Sequence, residues 1–137
     1  MPAGYSGKPL AEKLGIKPGL KVLVVNMPGN YLTLLGPATA GLPIHYDGEG
    51  PFDLIHVFAP DKAWLVDRMI SLEQRMAEPG ALWMSWPKRS SGIQTDLTEN
   101  VVRELALSAG LVDTKVCAVD ETWSALKLVI RLRDRKG

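Results

Sequence analysis

The side chains of this sequence that could do chemistry are few: two histidines, one cysteine, a serine at the end of an apolar run and one short basic loop. A general base must sit within reach of its substrate with a pKa near the working pH. His56 stands instead inside the apolar run 52–59, where a buried and hydrogen-bonded imidazole is expected. His45 has Asp47 as its nearest carboxylate, and neither histidine has a spaced second ligand of the kind a metal site needs. Cys117 is the single cysteine, so an internal disulfide and a multi-cysteine metal site are excluded. Its neighbours Val116, Ala118 and Val119 make it a structural thiol, and Lys115 on the same face is the one group that would lower its pKa. Ser85 lacks the glycine elbow that exposes a nucleophilic serine between strand and helix.

The remaining candidate is the stretch 80–92, an apolar strand that opens into a loop carrying Lys88, Arg89, Ser90, Ser91 and Gly92. Two cations and several backbone N–H groups at a strand end could hold a phosphate or carboxylate. The competing reading is solvated charge, or ion pairs with Asp120 and Glu121, each worth only about 0–1 kcal/mol at a surface. Trp86 and Trp123 are expected at the same edge, either as an aromatic wall for a planar ligand or as closure of the core. Trp83 and Met84 fall on opposite faces of one strand and read as core, and Trp64 reads as helix packing. Arg131, Arg133, Arg135 and Lys136 alternate like solvated charges on an edge strand, so nucleic-acid binding is not expected.

These groups need elements to position them. Pro9, the Leu10 and Leu14 pair and the Gly15-Ile16 stop predict a short helix over 8–14 behind a loose arm, 1–7. Residues 20–26 are apolar on both faces and β-branched, as in a buried parallel strand. The turn Met27-Pro28-Gly29-Asn30 follows, with Asn30 able to cap a helix over 31–35 that Gly36-Pro37 ends. A dinucleotide fold carries its glycine fingerprint at this turn, and one glycine with a proline does not supply it. Residues 38–41 read as loop and 42–46 as a weak strand. Only five residues then precede the strong strand 52–59, whereas a parallel crossover takes about a dozen or more. Segment 42–46 is therefore expected to be antiparallel to its neighbour or no strand at all.

Asp61 caps the clearest helix, expected to reach Ala77, whose stripe Leu65, Met69, Leu72 and Met76 is widened by Trp64, Val66 and Ile70. Pro79-Gly80 and Pro87 bound the strand 81–86. After the loop 88–97, Thr98 and Glu99 open a second helix that ends at Gly110, with Val101, Val102, Leu105, Ala106 and Ala109 as its core face and Leu111 beyond the stop. Strands 112–119 and 125–132 flank residues 120–124, too short a link for anything but an antiparallel hairpin. The pattern is α/β: a three-layer sandwich built on an open, mostly parallel sheet that ends in an antiparallel β-hairpin. Right-handed crossovers put the ends of strands 20–26, 52–59, 81–86 and 112–119 on one edge, the place where such sheets bind ligands.

Totals agree. At 137 residues, with 46% hydrophobic and 23% charged residues, the chain is expected to form one domain over 1–137, with a frayed basic tail at 133–137. The net charge of +1 points to neither a polyanionic nor a polycationic partner. No leader-like segment and no apolar run near the length of a membrane span, about 18 residues, is visible, so a soluble cytoplasmic protein is expected.

The element order from Phe52-Asp53-Leu54-Ile55 through Pro79-Gly80-Ala81-Leu82-Trp83, the helix ending Ser108-Ala109-Gly110-Leu111 and the closing hairpin resemble the second half of class I S-adenosylmethionine-dependent methyltransferases, a Rossmann-like fold. That resemblance implies a last strand inserted antiparallel beside 80–86. Gly4-Tyr5-Ser6-Gly7, Ser85-Trp86-Pro87-Lys88, Thr95-Asp96-Leu97-Thr98 and the run from Gly110 to Ser124 resemble a small bacterial family of domains of unknown function. Against the methyltransferase pattern, three elements before Phe52 are missing, and the turn after the first strand lacks the glycines that let backbone approach the cofactor. Asp47, 18 positions after Gly29, falls near the place of an acidic ribose ligand and equally reads as a loop aspartate.

The expected function is that of an uncharacterised Rossmann-like domain without catalysis or cofactor. It binds a small anionic ligand or a protein partner at the edge formed by Gly29, Asn30, Trp86, Lys88, Arg89, Ser90, Asp120, Glu121 and Trp123. The alternative is an enzyme, a methyltransferase using S-adenosylmethionine. A homodimer through the long helix and the tryptophans stays open. Neither nucleic acid nor membrane is expected as a partner.

Overall fold

Val22–Val25 (β1), Phe52–Phe58 (β3) and the second half of Met76–Pro87 (β4) are apolar on both faces because both faces are covered. The computed structural model describes residues 9–36, 41–131 and 134–135. The expected arm 1–7, Lys8 of the expected helix 8–14, Pro37, residues 38–40 of the expected loop, Leu132 and, apart from 134 and 135, the expected tail lie outside the described residues.

The described elements run α1 (Leu10–Leu14), β1, α2 (Tyr31–Leu35), β2 (Ile44–His45), β3, α3 (Lys62–Gln74), β4, α4 (Glu99–Ser108), β5 (Leu111–Ala118) and β6 (Trp123–Ile130). All six strands form one sheet in the order β2-β1-β3-β4-β6-β5. β1 to β4 are mutually parallel, and β6 lies antiparallel between β4 and β5. This is the mixed α/β sheet with a terminal antiparallel hairpin expected from the sequence, including the insertion of the last strand beside β4.

Side-chain alternation sorts the core into two layers. Leu23, Ile55, Val57, Leu82 and Met84 face α3 and α4, meeting Leu65, Met69, Leu72, Val102 and Ala106. Val22, Val24, Leu54, Phe58 and Trp83 face α1 and α2, meeting Leu10, Leu14, Tyr31 and Leu35. Each such aliphatic or aromatic side chain, fully buried, contributes about 1.5–3 kcal/mol relative to exposure. Trp83 and Met84, adjacent in β4, lie in different layers and are both fully buried. The Trp83 indole Nε1–H donates to the carbonyl of Leu14 at 2.9 Å, so the end of α1 is tied to the middle of the sheet.

Three expectations change. First, β2 is a strand, and it runs parallel to β1, pairing Ile44 with Val22 and His45 with Leu23. The six residues 46–51 suffice to return to β3 because β2 is two residues long and meets only the beginning of β1. The crossover rule assumes a return along a full strand, and none is needed here. Second, α3 ends at Gln74 and β4 begins at Met76, so Pro79-Gly80 lies inside a strand and does not open one. Met76 pairs with Phe52 and Ala81 with Leu54, five steps along β4 against two along β3, which is a large bulge. A β-carbon at Gly80 would stand 2.8 Å from the carbonyl oxygen of Asp53 and 3.0 Å from that of Ala77. Only glycine fits where the two backbones close over the bulge. Third, the buried stripe of α3 is narrower than expected: Leu65, Met69 and Leu72 are buried and Trp64 packs partly, but Val66 and Ile70 are 52% and 55% exposed.

Candidate functional site

The carboxyl ends of β1, β3, β4 and β5 and the start of β6 share one edge, because β6 alone runs the other way. The Lys88 N–H donates to the carbonyl of Thr122 at 2.8 Å, binding the loop after β4 to the hairpin tip. The expected site residues are therefore on one edge, but the sheet divides them into two groups.

On the α3/α4 side lies a cleft of about 840 Å³ whose wall includes Trp86, Pro87, Arg89, Ile93, Thr95 and Leu97. Its shape is set by short-range chemistry. Residues Arg89–Ser91 form a 3-10 turn in which the Ser91 hydroxyl donates to the Lys88 carbonyl at 2.6 Å, and Gly92, at φ 79°, ends it in the left-handed region. The Thr95 hydroxyl donates to the carbonyl of Pro60 at 2.8 Å and accepts from Leu97 N–H at 3.1 Å. An Asp96 carboxylate oxygen accepts from the Lys62 N–H at 2.8 Å. The loop is thereby fastened to the start of α3, and Leu97 is driven into the core at 3% exposure. Thr98 then caps α4, accepting from Val101 N–H.

The charges at the cleft are unequally engaged. Asp96 holds the first turn of α3, and Glu99 pairs with Arg103 at 2.6 Å, a guanidinium that also holds Asp113 at 3.1 Å. The hydrogen bonds that Arg103 donates to Glu99 and Asp113 raise its pKa above its already high ordinary value. Arg89 has no ion pair and no side-chain hydrogen bond among the described residues. Neither it nor Lys88 pairs with Asp120 or Glu121, so of the two forms of the competing reading the ion pairs do not occur, and Arg89 is exposed.

On the α1/α2 side the hairpin tip folds over the ends of β1 and β3. Asp120 accepts the N–H groups of Thr122 and Trp123, both at 2.8 Å, and receives the Asn30 amide at 3.5 Å. The Trp123 ring meets Phe58 edge-on, with centroids 5.1 Å apart. Trp86 pairs with Ser124 and Trp123 with Pro87, so the two tryptophans occupy adjacent register positions and opposite faces. They share an edge without forming one wall. Gly29, exposed in the turn, has a β-carbon direction that meets nothing within 4 Å, so nothing there requires glycine. Glu121 and Ser90 are exposed.

His56 is fully buried. Its Nδ1 lies 2.8 Å from the Tyr31 hydroxyl and its Nε2 2.6 Å from the Ser85 hydroxyl, so one ring nitrogen donates, the other accepts, and the hydroxyls take the complementary roles. Burial lowers the imidazole pKa to about 3 and, with a smaller effect of Cys117, raises that of Tyr31. A neutral imidazole with both nitrogens engaged is the satisfied core histidine expected from its place in the strand. Its two partners were not legible in the sequence, because neither spacing nor residue type connects positions 31, 56 and 85. At Cys117 burial raises the pKa despite Lys13 and Lys115, so the lysine on its own face does not activate it. Among the described residues, no His, Cys, Asp and Glu cluster could hold a metal ion and no helix is long and apolar enough to cross a membrane.

Several solved structures that share this fold are methyltransferases. The chain is similar to a putative methyltransferase from Thermoplasma acidophilum (TM-score 0.60, 10% identity, 85% of this chain and 70% of that one). It is also similar to a TehB-like SAM-dependent methyltransferase from Corynebacterium glutamicum (0.57, 13%, 89% and 85%). A third likeness is to magnesium protoporphyrin IX methyltransferase from Synechocystis with bound SAH (0.53, 12%, 89% and 80%). At these identities the likeness is one of fold. No curated protein matches the chain. Residues 47–132 match the profile of the family described as Protein of unknown function (DUF3052).

Proposed function

The chain belongs to the DUF3052 family, and from its own geometry we propose that it is a binding domain for a small organic anion with a flat apolar body, held in the cleft at the carboxyl end of β4. The observation that carries this reading is the uncommitted Arg89 guanidinium in a cleft where both neighbouring acids are already engaged. A planar fork of donors suits a carboxylate or phosphate. The half-exposed Ile93 supplies apolar surface beside it, above Trp86 and Pro87, which are themselves buried in the cleft floor. The volume lies within the range of about 300–1,000 Å³ usual for small-molecule sites, and the cleft opens at the carboxyl edge of the sheet, though away from the point between β1 and β3 where strand order reverses. The methyltransferase reading is motivated by the fold and by the SAH bound in one similar structure; nothing in the cleft favours it over simple binding.

The test uses a charged and an uncharged probe of one shape. Anilinonaphthalene sulfonate should bind the native protein saturably and change Trp86 emission, while uncharged N-phenylnaphthylamine should bind more weakly. Arg89→Ala should weaken the sulfonate by about tenfold, the worth of one charged hydrogen bond, at unchanged melting temperature. Equal binding of the two probes, or of the sulfonate to both proteins, would sink the proposal.

A further inference from the structure

Open α/β sheets bind nucleotides in the crevice where strand order reverses, which here is between β1 and β3, since β2 lies on one side of β1 and β3 on the other. We infer that this crevice is closed by the chain's own groups and that, despite its fold, the protein takes neither S-adenosylmethionine nor its demethylated product there. At the end of β1, Asn26 adopts φ 60°, a left-handed conformation that asparagine tolerates better than most residues. The turn aims its amide across the gap, where Nδ2 donates to the Phe58 carbonyl at 2.9 Å and ties the two strand ends together at the mouth of the crevice.

A second closure lies beside the first. Trp123 covers the Phe58 ring, Val119 is buried in the same layer at 2% exposure, and Asn30 reaches Asp120 across the mouth. Asp120 holds the tip in this shape through Thr122 and Trp123 N–H. The hairpin tip thus occupies the place of a ligand, and the open cleft lies on the other face of the sheet.

The experiment is a titration of the full-length, isotopically labelled protein with S-adenosylhomocysteine to about 1 mM, read by amide chemical shifts and by melting temperature, since a ligand specific for the native state must stabilise it. No saturable shift is expected at residues 26–30, 58–59 or 119–123, and no rise in melting temperature. Shifts confined to residues 86–99 leave the crevice closed and report on the Arg89 cleft, which separates this inference from the proposed function. Saturable shifts at 26–30 and 58–59 with a concentration-dependent rise in melting temperature would overturn it.

Discussion

His56 Nε2 lies 2.6 Å from the Ser85 hydroxyl inside a fully buried chain whose other end is Tyr31. The three residues belong to β3, β4 and α2, so one short polar path crosses from the sheet to the helix above it. Low dielectric strengthens each of these bonds and makes an unpaired member costly.

Acid should therefore act on stability through His56. Its pKa is lowered to about 3 from an ordinary 6.5, so between these values the unfolded chain binds a proton that the native chain does not. The stabilisation is complete above pH 6.5 and is lost as pH falls, by about 1.4 kcal/mol per unit. Urea unfolding of wild type and His56→Asn at pH 7, 6 and 5 should show the two stabilities converging. Parallel trends would remove His56 as the titrating group.

Tyr31→Phe strips His56 Nδ1 of its partner while keeping the ring. The expected loss is about 1–3 kcal/mol, the cost of an unsatisfied buried polar group. Because Ser85→Ala disturbs the same imidazole, the double variant should be non-additive by at least about 0.5 kcal/mol. Strict additivity in denaturant titrations would mean that the two bonds act independently.

Gly80→Ala tests the bulge. A methyl placed 2.8 Å from a backbone oxygen cannot be relieved by rotating a side chain, so β3 and β4 must part locally. A loss of about 1–3 kcal/mol is expected, as for other overpacked sites. A variant as stable as wild type would show that the strands approach less closely.

Trp83→Phe retains most of the buried ring and removes the donor to Leu14. Stability should fall by about 1–3 kcal/mol. Amide exchange should accelerate chiefly in residues 10–16, because α1 has lost its tie to the sheet. Uniform acceleration across β4 would assign the effect to packing alone.

Strands β1, β3 and the later part of β4 were legible because burial on both faces leaves a continuous apolar run. Helix α4 was legible through Thr98 and its apolar face. The start of β4 was not, since Met76 pairs with Phe52 around a bulge that leaves no periodic trace. The direction of β2 was hidden by its length, the quantity the crossover rule presumes. At the site, the sequence located the edge but could not assign faces. Whether Trp86 and Trp123 share a wall depends on β4–β6 register, and one step exchanges every side chain between layers. The cleft wall was similarly hidden, because Thr95 and Asp96 are fixed by bonds to Pro60 and Lys62, more than thirty residues away.

The placement of β6 between β4 and β5 also dictates an order of assembly. β5 pairs with the sheet only through β6, and β6 meets β4 at separations of 36 positions, Pro87 with Trp123, to 46, Leu82 with Leu128. The hairpin closes over a short local loop, whereas joining β4 closes a long one and is entropically slower. Residues 111–130 are therefore expected to pair with each other first and to dock as a unit. On the ribosome, this sheet cannot be finished until β6 has emerged.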